Sequence, residues 1–329
     1  MRNLQVSYFR VGAMMIVIIY HCLCYYGIWA DSPITNPIYV GLCKFMNSID
    51  MPVFFIISGF LYVDKLLNTE KYNNSKDFFK KKVKRLLIPY LFWGIVINIL
   101  FINRYHFISM LDGISHLWFL LTLLVVFIIV HLMREKWIVM KISSLCILVF
   151  ILLLITPLRI LIPFDFLTIK QILQYLPYFF IGIIFSRSKT SMETLLAKNH
   201  KLLIFSLLCG VSLSIFLCFY TSNIHLINTI SKYIIIPFLS IIIISSSWIL
   251  CKRINFKDAD IIRSLDKNSM GIYIIHHILI IAAISNTQLS VIIGAHYIIS
   301  PILLFLIGTL ASWKISSWIK NMKFSSYLL

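Results

Sequence analysis

Two ionisable residues, Arg10 and His21, lie in the first long apolar segment of this 329-residue chain. They are eleven positions apart, which in an α-helix is about 1100°, or three turns plus 20°. Their side chains therefore project from one helix face, about 16 Å apart along the axis. A cation can hold an anionic ligand, and an imidazole can accept a proton. The alternative is an arginine whose head group reaches the membrane surface, together with a hydrogen-bonded core histidine.

The composition places that segment in a membrane. Hydrophobic residues make up 60% of the chain and charged residues 13%, with a mean hydropathy of +0.91. Soluble domains are about 45–50% apolar and about 25% charged, so a soluble, disordered or fibrous protein is excluded. The seven cysteines form no Cys-x-x-Cys pair, so the sequence predicts neither a disulfide framework nor a metal site.

Apolar segments long enough to cross a bilayer, about 20 residues each, recur along the whole chain. The prolines Pro157, Pro163 and Pro177 predict broken or tilted helices around the fifth and sixth segments. We predict an all-α, polytopic membrane helix bundle of about ten transmembrane helices, a single domain over residues 1–329 with no soluble extracellular domain. The predicted spans are Tyr8–Ile28, Leu42–Val63, Leu86–Asn103, His116–Met133, Ile142–Ile155, Ile172–Phe185, Leu202–Tyr220, Ser231–Leu250, Asn268–Asn286 and Val291–Trp313.

The distribution of basic residues predicts the orientation of these spans. Of the 30 lysines and arginines, 24 fall on the side of the two termini and five on the other side, with Arg10 inside the first span. Positive charge concentrates in cytoplasmic loops, so both termini should be cytoplasmic. The same distribution accounts for the net charge of +18 without a nucleic-acid partner.

Five short blocks, in this order, resemble the acyltransferase 3 family of bacterial membrane acyltransferases. One departure lies in Trp118–Leu124, which has no glutamate where many members carry one; there the chain is similar to the branch of small stand-alone sugar acetylases and succinylases. The five blocks are Arg10-x10-His21, the Phe-Phe-x-x-Ser-Gly-Phe element in Pro52–Leu61, the basic stretch Lys81–Pro89, His116–Leu120, and Ser269–His276.

The resemblance implies O-acylation of a cell-envelope carbohydrate, or of its lipid-linked precursor, by a multi-pass enzyme of the bacterial inner membrane. The implied donor is acyl-CoA, usually acetyl-CoA, which would enter from the cytoplasm, whereas the acceptor would lie on the outer side. Besides these two substrates, the only implied partner is membrane lipid. His21 would be the general base, because an acceptor hydroxyl has a pKa far above 7 and imidazole is the usual group that removes such a proton.

The phosphates of coenzyme A suit Arg10 together with Lys82 and Arg85, which the orientation places on the cytoplasmic side. Arginine forms forked hydrogen bonds to phosphate. Lys82 and Arg85 are three residues apart, so they should share a helix face. The alternative is that the run of bases before the third span only stops its transfer across the membrane.

Asp50 is the candidate for holding the other nitrogen of His21, since a general base works better when an acceptor orients it. An unpaired carboxylate at that depth would be costly, which favours a partner. The alternative is an interfacial aspartate that caps the helix before Pro52. Nearby, Ser58 and Gly59 are interpreted as small residues that allow close helix packing.

The remaining candidates concern the acceptor. His116 and Trp118 begin a later span at its outer end, where they could contact the sugar, although simple interfacial placement explains His116 equally well. Tyr273 and His276 could line the substrate tunnel, with a satisfied core histidine as the alternative. His277 projects about 100° away from His276 and is set aside.

Two other classes of protein compete with the enzyme. A transporter or flippase of envelope glycan precursors could use the same charged spans, but a proton-coupled carrier usually needs buried carboxylates, and Asp50 is nearly alone in the spans. A purely structural membrane subunit leaves the placement of Arg10 and His21 unexplained.

Overall fold

Ten helical segments are long and apolar enough to cross a membrane in the computed structural model. It describes residues 3–26, 36–67, 69, 72, 74–101, 109–220, 222–322 and 328, apart from the side chains of residues 109, 196, 197 and 287. No strand occurs within these ranges, so the predicted all-α bundle with ten spans is confirmed. The spans are Leu4–Cys24, Pro37–Leu67, Ser75–Leu100, Met110–Leu132, Ile142–Leu161, Phe166–Arg187, Lys198–Phe219, His225–Arg253, Asp260–Ser285 and Ser300–Lys320.

The spans are built from α-helices joined by short 3₁₀ and π-helical segments. The 3₁₀ segments are Ser115–Leu117, Thr156–Leu161, Phe166–Thr168 and Cys251–Arg253, and the π-helical segments are Val83–Leu87 and Ser231–Ile235. In chain order the α-helices are α1 (Leu4–Cys24), α2 (Pro37–Asn47), α3 (Asp50–Leu67), α4 (Ser75–Lys82), α5 (Ile88–Leu100), α6 (Ser109–Asp112), α7 (Trp118–Leu132), α8 (Arg134–Val139), α9 (Ile142–Ile155), α10 (Ile169–Arg187), α11 (Lys189–Phe219), α12 (His225–Ile230), α13 (Ile236–Leu250), α14 (Asp260–Ser285), α15 (Thr287–Ala295) and α16 (Ser300–Lys320).

The largest differences from the boundaries that hydropathy predicts are at the starts of the third and last spans. The third span begins at Ser75 instead of Leu86, because the Asn74 side chain accepts a hydrogen bond from the Lys76 backbone N–H and caps a helix that includes the basic run. The last span begins at Ser300 instead of Val291, because a turn after α15 interrupts a stretch of sequence that is apolar throughout. The predicted span ends Ile28 and Asn103 lie outside the described residues, as do Arg2, Arg104 and Lys323.

Three of the spans change helix type next to a proline, whereas the sixth continues through one. The π-helical segments of spans 3 and 8 each run into an Ile-Pro pair, at Pro89 and Pro237. Proline clashes with the carbonyl four residues back in an α-helix, and a wider turn relieves that clash without ending the helix. Pro157 lies where α9 gives way to a 3₁₀ segment, whereas α10 continues through Pro177.

The described chain forms two compact units. The first comprises Met1–Phe54 and Met192–Trp318. In it α1 packs along α14 and α2, and side chains spaced three or four apart on α1 meet apolar side chains of α14. The core of this packing consists of Val11, Met14, Ile18, Cys22, Leu265, Ile272 and Ile280. Since Arg10 and His21 belong to the same helix, this core determines which way they face.

The second unit comprises Phe55–Ser191 and Ile319–Leu329, and it contains a close crossing of α3 and α10. A Cβ atom built on Gly59 would overlap the backbone carbonyl oxygen of Phe179. A Cβ atom on Gly182 would overlap the carbonyl oxygen of Ile56. Glycine on both helices therefore lets the two backbones touch, which confirms the packing role expected for Gly59.

Gly59→Ala and Gly182→Ala are each expected to destabilise the protein by about 1–3 kcal/mol, because the added methyl meets backbone that cannot move aside. The measurement is the thermal unfolding midpoint of the detergent-solubilised chain. Gly12→Ala in α1 is the matched control, since nothing lies within 4 Å of its built Cβ atom. It should be neutral or stabilising by up to about 1 kcal/mol. Midpoints that are equal in all three variants would contradict the close crossing.

Candidate active site

Arg10 forms an ion pair with Asp266 across the α1–α14 interface. The distance from Arg10 Nη1 to Asp266 Oδ1 is 2.6 Å, and the two side chains are 22% and 11% exposed. Ser7, one turn earlier on α1, donates a hydrogen bond to Asp266 Oδ2 at 2.7 Å. Both carboxylate oxygens thus accept bonds from α1. A charge-assisted pair with little exposure holds the register of the two helices more firmly than a surface pair would.

His21 meets a histidine of the same partner helix. Its Nδ1 lies 2.9 Å from Nε2 of His276, and His276 is fully buried while His21 is 7% exposed. On the other side of its ring, His276 Nδ1 lies 2.8 Å from the backbone carbonyl oxygen of Ile272. His21 and His276 therefore belong to one short hydrogen-bond chain that ends on the backbone of α14.

His277 also contacts His21, although its direction on the helix, about 100° away from His276, predicted no functional role for it. The ring centroids are 4.4 Å apart in an edge-on arrangement. The rings of His21 and His276 are 5.1 Å apart. Adjacent residues on a helix point about 100° apart around its axis. His276 and His277 can therefore both reach α1 if α1 packs against α14 between their two directions. His21 of α1 is consequently in contact with two histidines of α14, and the three form one cluster.

The two contacts define two levels along a pair of parallel helices. Arg10 and His21 are eleven residues apart on α1, while Asp266 and His276 are ten apart on α14. These separations rise by about 16 Å and about 15 Å. Asp266 is a residue that sequence reasoning missed. One signal in the sequence could have revealed it. Asp266 and His276 repeat, in a second span, nearly the same spacing between a charged residue and a histidine that Arg10 and His21 have in the first.

Asp50 is the first residue of α3 and is 1% exposed. One of its carboxylate oxygens accepts a hydrogen bond from the Met51 backbone N–H. Its other oxygen, Oδ2, has no hydrogen-bond partner within the described part of the chain. The contact in place at His21 Nδ1 is with His276, so the suggested bond between Asp50 and His21 stays a prediction.

Lys82 and Arg85 have different surroundings at the start of span 3. Lys82 is 8% exposed, and its Nζ lies 3.3 Å from the centre of the Phe127 ring, with the rings of Tyr72 and Phe78 at 5.3 and 5.5 Å. Arg85 is exposed. Arg85 lies in the π-helical segment Val83–Leu87, which follows Lys82 directly, and the shared helix face of these two cations stays a prediction.

Tyr72 lies outside the spans, beside this pair of cations. Burial raises the pKa of its phenol, and the neighbouring Arg85 partly offsets that rise. The phenol therefore stays neutral at physiological pH, and it can present its ring face to Lys82 as a cation–π partner.

His116 and Trp118 directly follow a turn with positive φ values, before the start of α7. His116 is 4% exposed and follows Ser115, whose φ is +45°; Gly113 has a φ of +95°. A Cβ atom on Gly113 would approach Trp118 closely, so this turn requires glycine. Trp118 is half-buried and stacks on Tyr175, with ring centroids 5.4 Å apart. The structure thus brings an aromatic stack next to a buried histidine.

Tyr273 lies one turn before His276 on α14 and is 4% exposed. Its ring centroid is 6.1 Å from that of His276. It therefore borders the histidine cluster. Among the described residues, no group of three or more His, Cys, Asp or Glu side chains is arranged to hold a metal ion.

Ten spanning helices, with paired ionisable side chains inside two of them, define a multi-pass membrane protein. A family model described as an acyltransferase domain matches residues 3–319. The chain therefore belongs to the acyltransferase 3 family and is an acyltransferase. No curated protein and no solved structure matches it significantly.

Proposed function

We propose that this protein transfers an acyl group, most simply acetyl, from acyl-CoA to a hydroxyl of an envelope or surface polysaccharide or its lipid-linked precursor. The observation that carries the proposal is the α1–α14 pair, which holds a cation at one level and a cluster of histidines about three turns away. A polyanionic donor and a hydroxyl nucleophile need those two groups, a cation to bind phosphate and a base to take a proton.

His21 serves as the general base in this proposal. Its imidazole removes the proton of the acceptor hydroxyl while the oxygen attacks the thioester carbonyl. The carbon–sulfur bond then breaks, and the departing thiolate of coenzyme A receives the proton that the imidazole has taken up. The low exposure of the ring supports this role, because burial in an apolar core excludes water that would compete with the acceptor.

Arg10 holds a phosphate of the donor near the cytoplasmic end of α1. Asp266 accepts a hydrogen bond from Nη1 of this guanidinium. Arginine has five N–H donors in all, so the pair orients the group while other donors can bind the ligand. The positive-inside distribution of charge supports donor entry from that side.

Lys82 and Arg85 belong to the donor site in the same proposal. The cationic surroundings support it. Arg134 Nη1 lies 2.7 Å from Nε2 of His131, and the His131 ring stacks on Phe78, the ring that also borders Lys82. A region with this many cations attracts a phosphate-bearing molecule. His116, Trp118 and Tyr273 are assigned to the carbohydrate acceptor, since an aromatic face beside hydrogen-bonding groups suits a sugar ring.

The experiment that tests the proposal compares ester groups on the surface glycan with and without the gene. We expect mass spectrometry to show an acyl ester in the wild type, its loss on deletion, and its return when the gene is restored. Membranes from the deletion strain should accept label from radioactive acetyl-CoA or succinyl-CoA when the purified chain is added. Unchanged ester content, together with changed export of unmodified glycan, would instead indicate a flippase.

A further inference from the structure

The hydrogen-bond chain from Ile272 through His276 to His21 determines where the protons lie. The Ile272 carbonyl oxygen can only accept a hydrogen bond, so His276 Nδ1, 2.8 Å away, carries a proton and donates it. His276 is fully buried, and an imidazolium at that position would be costly inside a membrane. The neutral ring has one N–H, so Nε2 of His276 is an acceptor.

The tautomer of His21 follows from that of His276. Since His276 Nε2 accepts, the 2.9 Å contact requires His21 Nδ1 to donate. A neutral imidazole that carries its proton on Nδ1 has its lone pair on Nε2. The bond to α14 therefore selects which nitrogen of His21 can take up a proton.

We propose that His276 is a positioning residue that holds His21 in the Nδ1–H tautomer, so that His21 acts through Nε2. This inference rests on the proposed function and specifies the atom within it. The acceptor hydroxyl gives its proton to His21 Nε2, while Nδ1 keeps its own proton and its bond to His276. The resulting imidazolium is stabilised by the same acceptor, and His276 itself forms no bond to either substrate.

The register of the two helices supports this role. The ion pair between Arg10 and Asp266 holds α1 against α14 about three turns away, which opposes rotation of α1 that would carry His21 off His276. The His277 ring contacts the His21 ring in an edge-on arrangement from a second direction. The hydrogen bond to His276 and this ring contact together favour one orientation of the His21 imidazole.

The test uses the full-length chain in lipid nanodiscs, with two substitutions that separate shape from hydrogen bonding. His276→Phe keeps a planar ring and removes the acceptor. His276→Gln places an amide oxygen near the position of Nε2 and keeps the acceptor. Solid-state NMR of ¹⁵N,¹³C-histidine reports the tautomer, and the His21 signal among the nine histidines is assigned from its absence in His21→Gln.

We expect the Nδ1–H tautomer at His21 in the wild type and in His276→Gln, and the Nε2–H tautomer in His276→Phe. At saturating acyl-CoA, His276→Phe should transfer at least about tenfold more slowly, with little change in the KM for acyl-CoA. His276→Gln should recover most of that rate. A wild-type Nε2–H tautomer at His21, or an unchanged tautomer or rate in His276→Phe, would overturn the assignment.

The NMR arm separates this inference from the proposed function. An Nδ1–H tautomer that His276→Phe reverses supports the positioning role even if no acyl transfer is detected. Acyl transfer with an Nε2–H His21 would support the function and overturn the positioning role.

Discussion

His21→Ala is expected to lower the rate of acyl transfer at saturating acyl-CoA by at least about 100-fold, since general-base catalysis typically contributes 10²–10⁴-fold. The KM for acyl-CoA should change little, because in the proposed mechanism the imidazole meets the acceptor hydroxyl and the reacting carbonyl, not the phosphates of the donor. The measurement is the initial rate of label transfer from radioactive acyl-CoA to membranes of a strain that lacks the gene.

The matched control for this experiment is His225→Ala. His225 is exposed at the start of α12, so its loss should leave both the rate and the yield of folded protein unchanged. The amount of protein in the membrane and its elution on size exclusion should be the same for both variants and the wild type. A His21→Ala protein that transfers within twofold of the wild-type rate would remove His21 from the mechanism.

Arg10→Ala is expected to raise the KM for acyl-CoA by about 10–100-fold. In the proposed function, the lost interaction is a charge-assisted hydrogen bond to phosphate. Such a bond is worth about 1.5–3 kcal/mol, and each 1.4 kcal/mol is tenfold in affinity. The substitution also leaves the nearly buried Asp266 without the cation that pairs with it. The measurement is the dependence of the transfer rate on acyl-CoA concentration, accompanied by the thermal unfolding midpoint.

A double variant separates the two consequences. In Arg10→Ala with Asp266→Asn, the uncompensated carboxylate is gone, so the unfolding midpoint should recover while the KM stays high. Arg263→Ala is the control. Arg263 lies on α14, as Asp266 does, and it forms an ion pair with Asp258 at an exposed site. Recovery of the KM in the double variant would show that Arg10 only neutralises Asp266 and does not bind the donor.

The ten spans were predictable because hydropathy is a local property. A window of about 20 residues either is or is not apolar enough to cross the bilayer, whatever the rest of the chain does. The boundaries were less predictable for the same reason. The stretch from Val291 to Trp313 is apolar throughout, and its average does not record the turn that ends α15 and lets α16 begin at Ser300.

The common face of Arg10 and His21 could also be read from the sequence, since it depends only on the pitch of one helix. The partner of each could not. Asp266 and His276 follow Arg10 and His21 by more than 250 positions, and no local rule states which of the other spans α1 packs against. Depth in the membrane favours Asp50 as a partner of His21, but depth alone does not distinguish a residue of α3 from one of α14.

By itself, the sequence determined a multi-pass helical protein of the acyltransferase 3 family, with a cation and an imidazole on one helix face. The five family motifs and the hydropathy are patterns of residues close together in the sequence, so they can be recognised without knowledge of the fold. Only the tertiary structure decided that Asp266 and His276 complete those two groups and that His277 borders them. Side chains from distant spans meet only where helix packing brings them together, and that packing depends on shape complementarity along whole helices.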